Sequence, residues 1–325
     1  MSLPSVLTIG SAVRDVFLFS KSFKVMPMPG NPTVMAECVT LGAKIDVDTL
    51  TISSGGGATN AAATFAHLGF PTSLIARIGD DANGKEIIAD LAARGIDTKH
   101  LVSAKKEATA YSTLLTAEGG ERTALVFRGA SANFSEKDVK LSKISSDIVY
   151  LTSLGGNVAL ALAIAKACDR KKIALAWNPG AQELKSGRGL DPIRKIVGIL
   201  IVNLQEAQIL TGKSTADGKM LCELLALPGT TIVITDGKNG AYAHKDKSTW
   251  HCRTSGATAT STTGAGDAFG SAFVAAIANS MSIENALRVA TMNAESVVQH
   301  IGAKAGILKA WPKESDLAQY RIRKI

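Results

Sequence analysis

From about residue 53 onward, short apolar runs rich in β-branched residues alternate with longer segments that have helical periodicity. The short runs predict strands at Thr72–Ile78, Ile148–Thr152, Ile173–Trp177, Val197–Val202 and Thr231–Thr235. The longer segments predict helices at Ala58–His67, Gly84–Arg94, Val158–Asp169, Leu204–Leu210, Lys219–Leu225, Ala265–Ala278 and Ile283–Gln299. This alternation indicates βαβ units, so we expect an α/β fold with a mostly parallel sheet covered by helices on both faces. Ligands of such a sheet bind beyond the carboxyl ends of its strands.

Residues 11–52 and 109–128 interrupt this alternation with apolar, β-rich runs and no helical segment. The runs are Val16–Phe19, Val34–Thr40, Leu50–Ser53, Ala110–Thr116 and Arg122–Phe127, with a hairpin turn predicted at Glu118–Glu121. We expect a small sheet inserted into a core made of residues 1–10, 53–108 and 129–325, with ordinary surface hairpins as the alternative. The segment Met26–Gly30 is expected to be a flexible loop.

Composition narrows the class of protein. Of the 325 residues, 46% are hydrophobic and 20% charged, which is typical of a globular protein with a sizeable core, in one large or two ordinary domains. No apolar run reaches the ~20 residues that span a bilayer, and no basic region precedes the first strand-like run, Val6–Ile9. The four cysteines are widely spaced, which favours reduced thiols in a cytoplasmic protein. The net charge of +8 suits a protein that handles anionic nucleotides, but its dispersed lysines and arginines argue against nucleic-acid binding.

A Gly-rich turn gives the strongest chemical signal. The segment Ser261–Asp267 reads STTGAGD and leads directly into the apolar run Ala268–Ala276. It predicts a tight turn that opens a buried helix, where the backbone N–H groups of Gly264, Ala265 and Gly266 form an anion site with the helix dipole. A carboxylate beside that site, Asp267, suits phosphoryl transfer to a hydroxyl. The alternative is a loop before a core helix, with Asp267 as a cap.

This segment resembles the second signature of the PfkB family of carbohydrate and nucleoside kinases, the ribokinase-like family. The first signature of the family is similar to Gly55–Ala63, GGGATNAAA, and the shorter matches follow the family's order from about residue 6 to residue 306. These shorter matches are Gly10–Asp15, Leu68–Gly69, Ile78–Gly84, Asn203–Glu206 and Thr235–Gly240. The resemblance implies a ribokinase-like, doubly wound fold with a β-sheet lid that often forms a homodimer.

The resemblance also implies an ATP-dependent kinase of a small sugar or sugar acid, with a nucleoside as the second possibility. Asp267 would be the general base, while the acceptor would contact Asp15, Gly55, Gly56 and Asn60. The nucleotide would contact Asn203, Thr235, Gly237 and Asn293, and Glu206 would organise water around Mg²⁺. Local alternatives remain for three of these positions: a turn residue at Asp15, a helix start at Asn60 and a capping box at Asn203 and Glu206.

The chain departs from the family pattern at several positions. Ser261 stands where members often carry an aspartate that belongs to a monovalent-cation site, so we expect little activation by K⁺. Gly57 and Thr59 differ from the ribokinase form of the first signature, so the motif does not favour ribose over other acceptors. A phosphorylated sugar would need cationic side chains in the lid, for which Arg14 and Arg128 are the candidates.

Two functions from other classes of protein are alternatives to a kinase. A non-catalytic sugar- or nucleotide-binding protein could use the same fold, although the intact Gly264–Asp267 segment argues against it. An NAD-dependent enzyme is disfavoured because no G-x-G-x-x-G motif follows the first strand.

Overall fold

The computed structural model of the chain describes residues 3–118 and 122–325. Its strands are, in chain order, β1 (Val6–Ile9), β2 (Val13–Phe19), β3 (Lys24–Met28), β4 (Asn31–Cys38), β5 (Thr49–Gly55), β6 (Thr72–Ile75), β7 (Arg77–Gly79), β8 (Val102–Ala104), β9 (Ala110–Thr116), β10 (Arg122–Phe127), β11 (Ile148–Leu151), β12 (Ala174–Trp177), β13 (Ile199–Asn203), β14 (Thr231–Thr235), β15 (Ala241–Lys245), β16 (Ser248–Cys252) and β17 (Ile322–Lys324).

The α-helices are α1 (Gly57–His67), α2 (Ala82–Ala93), α3 (Val158–Lys171), α4 (Ala181–Leu184), α5 (Asp191–Arg194), α6 (Leu204–Thr211), α7 (Gly218–Leu225), α8 (Ala265–Ala278), α9 (Ile283–Val298) and α10 (Glu314–Leu317). Short 3₁₀ turns lie at Gly129–Asn133, Leu141–Lys143, Gly187–Leu190 and Gly237–Asn239. None of the helices in the described part of the chain is long and apolar enough to cross a membrane.

The main sheet has nine strands in the order β17-β16-β15-β14-β13-β12-β11-β1-β6. The six strands from β14 to β6 run parallel, and β15, β16 and β17 add an antiparallel edge. Parallel strands need helical crossovers, which cover both faces of the sheet and bury the strands. The predicted fold class, a mostly parallel sheet flanked by helices, is confirmed.

Each face of the main sheet buries its own hydrophobic cluster, because successive side chains of a strand point to opposite faces. On β11, Val149 and Leu151 pack into the cluster under α3 to α7, while Ile148 and Tyr150 pack into the cluster under α1, α8 and α9. Helix α8 is therefore fixed against the sheet and against α9 along its length. This rigid packing sets the position of the turn at its N-terminus.

A second sheet, the lid sheet, has the strand order β10-β9-β2-β5. The stretch 11–52 supplies β2 and most of β5, which continues to Gly55, and residues 109–128 supply β9 and β10, so the two irregular stretches of the sequence meet in one sheet. Strands β3 and β4 form a separate hairpin. Of the predicted turn at Glu118–Glu121, Gly119, Gly120 and Glu121 lie outside the described residues.

The expectation of a flexible loop at Met26–Gly30 is wrong. Lys24–Met28 is a strand that pairs antiparallel with Asn31–Cys38, and Gly30 turns the chain with a φ of +83°. Each strand of a two-stranded hairpin has a free edge where proline's missing N–H breaks no ladder hydrogen bond. Proline residues in this segment therefore do not exclude a strand.

The main sheet differs from the prediction at two places. The predicted strand Thr72–Ile78 is divided, with β6 in the main sheet and β7 paired with β8. Strands β15 to β17 went unpredicted. Asp246 and Lys247, between β15 and β16, have φ values of +48° and +68°, as in a type I′ hairpin turn. Without Asn-Gly or Asp-Gly at that turn, the sequence gives only a weak hairpin signal.

Candidate active site

Gly264 caps the N-terminus of helix α8 and has a φ of +82°, in the left-handed region. A Cβ atom at this position would lie 2.5 Å from the Cβ of Ala303. Both the conformation and the close approach therefore require glycine. The same contact holds the segment around Ala303 against the N-terminus of α8.

The first turn of α8 offers free backbone donors. Ala265 N–H donates to the Thr262 carbonyl at 3.4 Å, whereas the N–H groups of Gly264, Gly266 and Asp267 have no hydrogen-bond partner among the described residues. Unpaired N–H groups at the N-terminus of a helix, together with the helix dipole, favour an anion. The donors of the predicted anion site are thus available at Gly264 and Gly266, and less at Ala265, and Asp267 N–H adds a further donor.

The carboxylate of Asp267 is half-buried and held by a neighbour from α1. Asn60 Nδ2 donates to Asp267 Oδ2 at 2.8 Å. Burial raises the pKa of Asp267, and the Asn60 hydrogen bond and the charge of Lys304 partly offset that effect. A carboxylate with a raised pKa is a better proton acceptor than an exposed one.

Asp15 lies buried on β2, at the base of the lid sheet. Its neighbours across the sheet are Ser53 on β5 and Ser112 on β9, so the three side chains share one face. A Cβ atom on Gly55 would lie 1.8 Å from Asp15 Oδ2, so the glycine makes room for the carboxylate. Burial raises the pKa of Asp15 to about 6, against the lowering effects of Lys304 and Ser112. Gly56, with a φ of +97°, caps α1 beside it.

Three polar atoms near these residues are buried and lack a hydrogen-bond partner in the described part of the chain: Ser53 Oγ, Asn60 Oδ1 and Thr263 Oγ1. Buried polar groups are nearly always paired, so unpaired ones call for a ligand or water. Hydroxyl groups both donate and accept hydrogen bonds and would satisfy these atoms. Neither Ser53 nor Thr263 was predicted as a site residue, because a single serine or threonine in a β-rich or turn segment carries no chemical signal on its own.

A cavity of about 310 Å³ lies in front of Asp267. Its walls include Gly264, Gly266, Asn203, Glu206 and Thr235. The structure therefore gathers five of the predicted site residues around Asp267. The residues come from the carboxyl ends of β13 and β14, from the first turn of α6 and from the start of α8.

Asn203 and Glu206 also form the capping box that the sequence allowed. Glu206 N–H donates to Asn203 Oδ1, and Asn203 N–H donates to Glu206 Oε2, each at 2.9 Å. Burial raises the pKa of Glu206, and the bonds to Asn203 partly offset that effect. The capping box orients the Glu206 side chain at the cavity wall, so the structural and the functional interpretation are compatible.

Glu183 is a fully buried carboxylate that sequence reasoning missed. It accepts hydrogen bonds from the backbone N–H groups of Leu154 at 2.6 Å, Gly156 at 3.0 Å and Gly180 at 3.0 Å. These bonds tie together the loops after β11 and β12, which border the cavity. Its sequence context, a short helix after a Pro-Gly pair, gave no signal of this long-range role.

A larger cavity of about 640 Å³ adjoins the first and shares Thr235 and Gly266 with it. Gly237 lines this second cavity, as predicted for a nucleotide contact. Asn293 does not line it. Its side chain is fully buried, donates to the Ala268 carbonyl at 2.8 Å and accepts from Leu308 N–H at 2.9 Å. Helix α9 instead reaches the cavity through its other residues, Thr291, Ala294, Glu295 and Val298.

Two cationic side chains that the sequence analysis did not predict lie near the turn before α8. Arg122, on the lid strand β10, donates to Thr262 Oγ1 at 2.7 Å. This bond joins the lid sheet to the Gly-rich turn. Lys304 is buried, and its charge acts on both Asp15 and Asp267. Each lies far along the chain from the residues that it approaches.

Comparison with known proteins agrees with this geometry. The model of the pfkB family carbohydrate kinases matches residues 4–310. A curated ribokinase of Haemophilus influenzae is 30% identical over 266 residues, which cover 79% of this chain and 84% of that protein. The chain belongs to the pfkB family and is a phosphotransferase, an ATP-dependent kinase of sugars or nucleosides. The prediction of the family is confirmed, and the NAD-dependent alternative is excluded.

Solved structures give the same fold. Arabidopsis thaliana ribokinase complexed with ribose and ATP superposes with a TM-score of 0.74 at 23% identity, covering 98% of each chain. A nucleoside kinase of Methanocaldococcus jannaschii, described as an archaeal member of the ribokinase family, superposes with a TM-score of 0.77 at 17% identity, covering 98% of this chain and 99% of that one. At these identities the likeness concerns the fold.

Proposed function

We propose that the chain transfers the γ-phosphoryl group of ATP to a hydroxyl of a small sugar or sugar acid. The observation that carries this proposal is the position of the Asp267 carboxylate in the same helical turn as two unpaired backbone donors. Such a turn can accept a proton and stabilise a phosphoryl group at adjacent points. The unpaired polar atoms Ser53 Oγ and Asn60 Oδ1 support a hydroxylated acceptor beside it.

In this proposal Asp267 accepts the proton of the attacking hydroxyl late in the transfer. The backbone N–H groups of Gly266 and Asp267 donate to the oxygens of the transferred group, and Gly264 holds them in place. Most of the rate enhancement then comes from positioning and from charge stabilisation rather than from the strength of the base. Asp15, Gly55, Gly56 and Asn60 bind the acceptor, with the Asp15 carboxylate accepting hydrogen bonds from its hydroxyls.

The larger cavity is the proposed nucleotide site, with Thr235 and Gly237 near the phosphates. The residues fit Mg²⁺ as well, because Glu206 presents one oriented carboxylate to the smaller cavity and Mg²⁺ keeps most of its waters. When bound, the ion would neutralise phosphate charge. Asn203 and Glu206 would hold its water shell.

A phosphorylated sugar is the second candidate acceptor. A further cavity of about 240 Å³, lined by Arg128, shares Ser11 and Ser153 with the cavity in front of Asp267. A phosphate group could reach the Arg128 guanidinium through this extension. Arg14 lies 3.9 Å from Glu86, and strand alternation directs it away from the face of Asp15, so it offers less support.

The proposal is tested by measuring Mg·ATP consumption with pentoses, hexoses, ketoses, sugar acids, phosphosugars and nucleosides. Turnover on unphosphorylated sugars or sugar acids is the expected result. Turnover confined to phosphosugars or to nucleosides would replace the acceptor class by the second candidate or by a nucleoside. ATP binding with no turnover on any of them would overturn the proposal and favour a non-catalytic binding protein.

We expect K⁺ to stimulate turnover by less than about twofold, because a neutral hydroxyl binds a cation less well than a carboxylate. Ser261 replaces the aspartate that family members often carry in a monovalent-cation site, and its hydroxyl accepts a hydrogen bond from Thr263 N–H at 3.3 Å. Rates are compared in choline chloride and in KCl at equal ionic strength, with Ser261→Asp as the matched variant. Strong activation of the unmodified protein by KCl would contradict this expectation.

We also propose that the chain forms a homodimer through the lid. Most of its exposed large hydrophobic side chains lie in the lid sheet and the β3–β4 hairpin, among them Met35 (51% exposed), Leu50 (60%) and Val126 (56%). Exposed sheet faces and edges are usually covered by a partner. Sedimentation should give twice the chain mass, and Met35→Glu should shift the protein to monomer while Leu224→Glu on α7 does not. A monomer at micromolar concentration would refute the dimer.

A further inference from the structure

Lys304 is a buried lysine with an unusual set of neighbours. Its side chain is 3% exposed, and Nζ donates to the Ser54 carbonyl at 2.6 Å and to Ser54 Oγ at 2.8 Å. Asp90 Oδ2 lies 3.9 Å from Nζ. Charged side chains are seldom buried unless they are paired, and lysine is expensive to bury because its ammonium is strongly hydrated. The burial of Lys304 therefore requires favourable interactions that offset the free-energy cost of removing its ammonium from water.

The contacts of the surrounding segment place Lys304 between the two halves of the proposed site. Ala303 packs against Gly264 at the start of the helix that carries Asp267. Ser54, which Lys304 binds, follows Ser53, the neighbour of Asp15 across the lid sheet. Lys304 thus joins the acceptor end of the site to the base. The charge of Lys304 acts on both carboxylates.

The charged groups that face Lys304 come from three elements. Asp90 and Arg94 come from α2, Asp15 comes from β2 and Asp267 comes from α8. Asp90 is the nearest of these carboxylates to Nζ, and it also accepts hydrogen bonds from Arg94 Nε at 3.0 Å and from Ser54 Oγ. Lys304 also faces Asp15 and Asp267, and the negative charge of Asp267 raises the pKa of Asp15. Lys304 is the cation that both of them share.

We propose that Lys304 is a positioning residue whose ammonium charge keeps Asp15 and Asp267 ionised together. The inference rests on the proposed function, in which Asp15 must accept hydrogen bonds from the acceptor and Asp267 must accept its proton. Two carboxylates in one desolvated site favour proton uptake, and a buried cation between them opposes it. The lysine thereby sets the lower end of the pH range in which the site is competent.

The direction of the pH effect follows from the individual groups. Burial lowers the pKa of Lys304 to about 7, although Asp90, Asp15 and Asp267 oppose this shift. The ammonium is therefore charged below neutral pH, where Asp15, with a pKa of about 6, begins to take up a proton. Removing the charge raises the pKa values of Asp15 and Asp267, so the loss of activity on acidification begins at higher pH. Above neutral pH the unmodified protein loses the same charge, and the difference disappears.

The test compares Lys304→Met with the unmodified protein by kcat/KM as a function of pH, using the acceptor found in the panel. We expect the acidic limb to move up by about one pH unit, a roughly tenfold loss below pH 6, with the two profiles converging above pH 8. Nucleotide affinity should stay unchanged. Lys309→Met, which removes an exposed lysine from the same segment, should reproduce the unmodified profile.

Superimposable profiles for Lys304→Met, with only a change in melting temperature, would show that the lysine is merely structural and overturn the inference. Loss of turnover at every pH would also overturn it, since that result means direct contact with the acceptor. Lys304→Gln, which keeps a donor for Ser54, replaces the methionine variant if that variant does not fold.

A second measurement does not depend on turnover. ¹³C NMR of carboxylate carbons, assigned with Asp15→Asn and Asp267→Asn, follows both titrations directly in the unmodified and Lys304→Met proteins. Higher midpoints in the variant support the inference even if no acceptor is turned over, and unchanged midpoints refute it. Failure of the proposed function is seen instead in the acceptor panel, so the two outcomes can be told apart.

Discussion

An Asp267→Asn variant should lose about 10³-fold in kcat, because asparagine cannot accept the hydroxyl proton. The substitution preserves shape, and the amide oxygen of asparagine can still accept the hydrogen bond that Asn60 Nδ2 makes at 2.8 Å. The nucleotide cavity and the backbone donors of α8 should remain as they are. Nucleotide affinity is therefore expected to stay equal or to increase slightly, since a negative charge near the phosphates is removed. Steady-state kinetics and calorimetric nucleotide titration measure the two quantities separately.

The matched control is Glu284→Gln. Glu284 is also a half-buried carboxylate in the first turn of a helix, α9, which packs along α8. If a first-turn carboxylate matters only through the helix dipole, both variants should show the same small loss of stability and no loss of kcat. An Asp267→Asn protein that retains turnover within about tenfold of the unmodified rate would mean that Asp267 is a cap and not the base.

The sequence predicted the elements with strong local patterns and the residues inside a signature. Helix α8 has the predicted bounds, Ala265–Ala278, because a Gly-rich turn followed by an unbroken apolar run leaves little ambiguity. The lid strands β9 and β10 also have their predicted bounds, since both show period-two or β-branched patterns. These local signals were enough to place Asp267, Asn60 and Asp15 near one another through the family resemblance.

Contacts between distant segments could not be predicted in the same way. Lys304 lies in an Ala- and Gly-rich stretch without periodicity, and its relation to Asp15 depends on how the end of α9 meets the lid sheet. Arg122 reaches Thr262 only because β10 folds over the Gly-rich turn. Asn293 differs from its expected place for a related reason. The family resemblance implies a nucleotide contact at this position, but the side chain is buried in the core and donates to the Ala268 carbonyl. The side on which a helical residue lies is decided by packing that a short motif does not encode.

A Gly264→Ala variant is expected to lose about 10² to 10³-fold in kcat, because the donors that follow Gly264 would no longer face the transferred group. The φ of +82° alone costs an L-residue about 1–2 kcal/mol. The new Cβ would also lie 2.5 Å from Ala303 Cβ and 2.7 Å from Ala303 Cα, so the turn or the 302–306 segment must move. Either movement displaces Gly266 and Asp267 N–H. Turnover and the free energy of unfolding should therefore both fall.

The control separates strain from catalysis. Gly212 has a comparable φ of +67°, but nothing lies within 4 Å of its Cβ position, at the end of α6. Gly212→Ala should lose about 1 kcal/mol of stability and keep its kcat. A compensating Ala303→Gly change should not rescue Gly264→Ala, because the Ala303 backbone is itself within 3 Å of the new atom. If Gly264→Ala loses stability like the control yet keeps full turnover, the anion site cannot depend on this turn, and the phosphoryl group must be stabilised elsewhere.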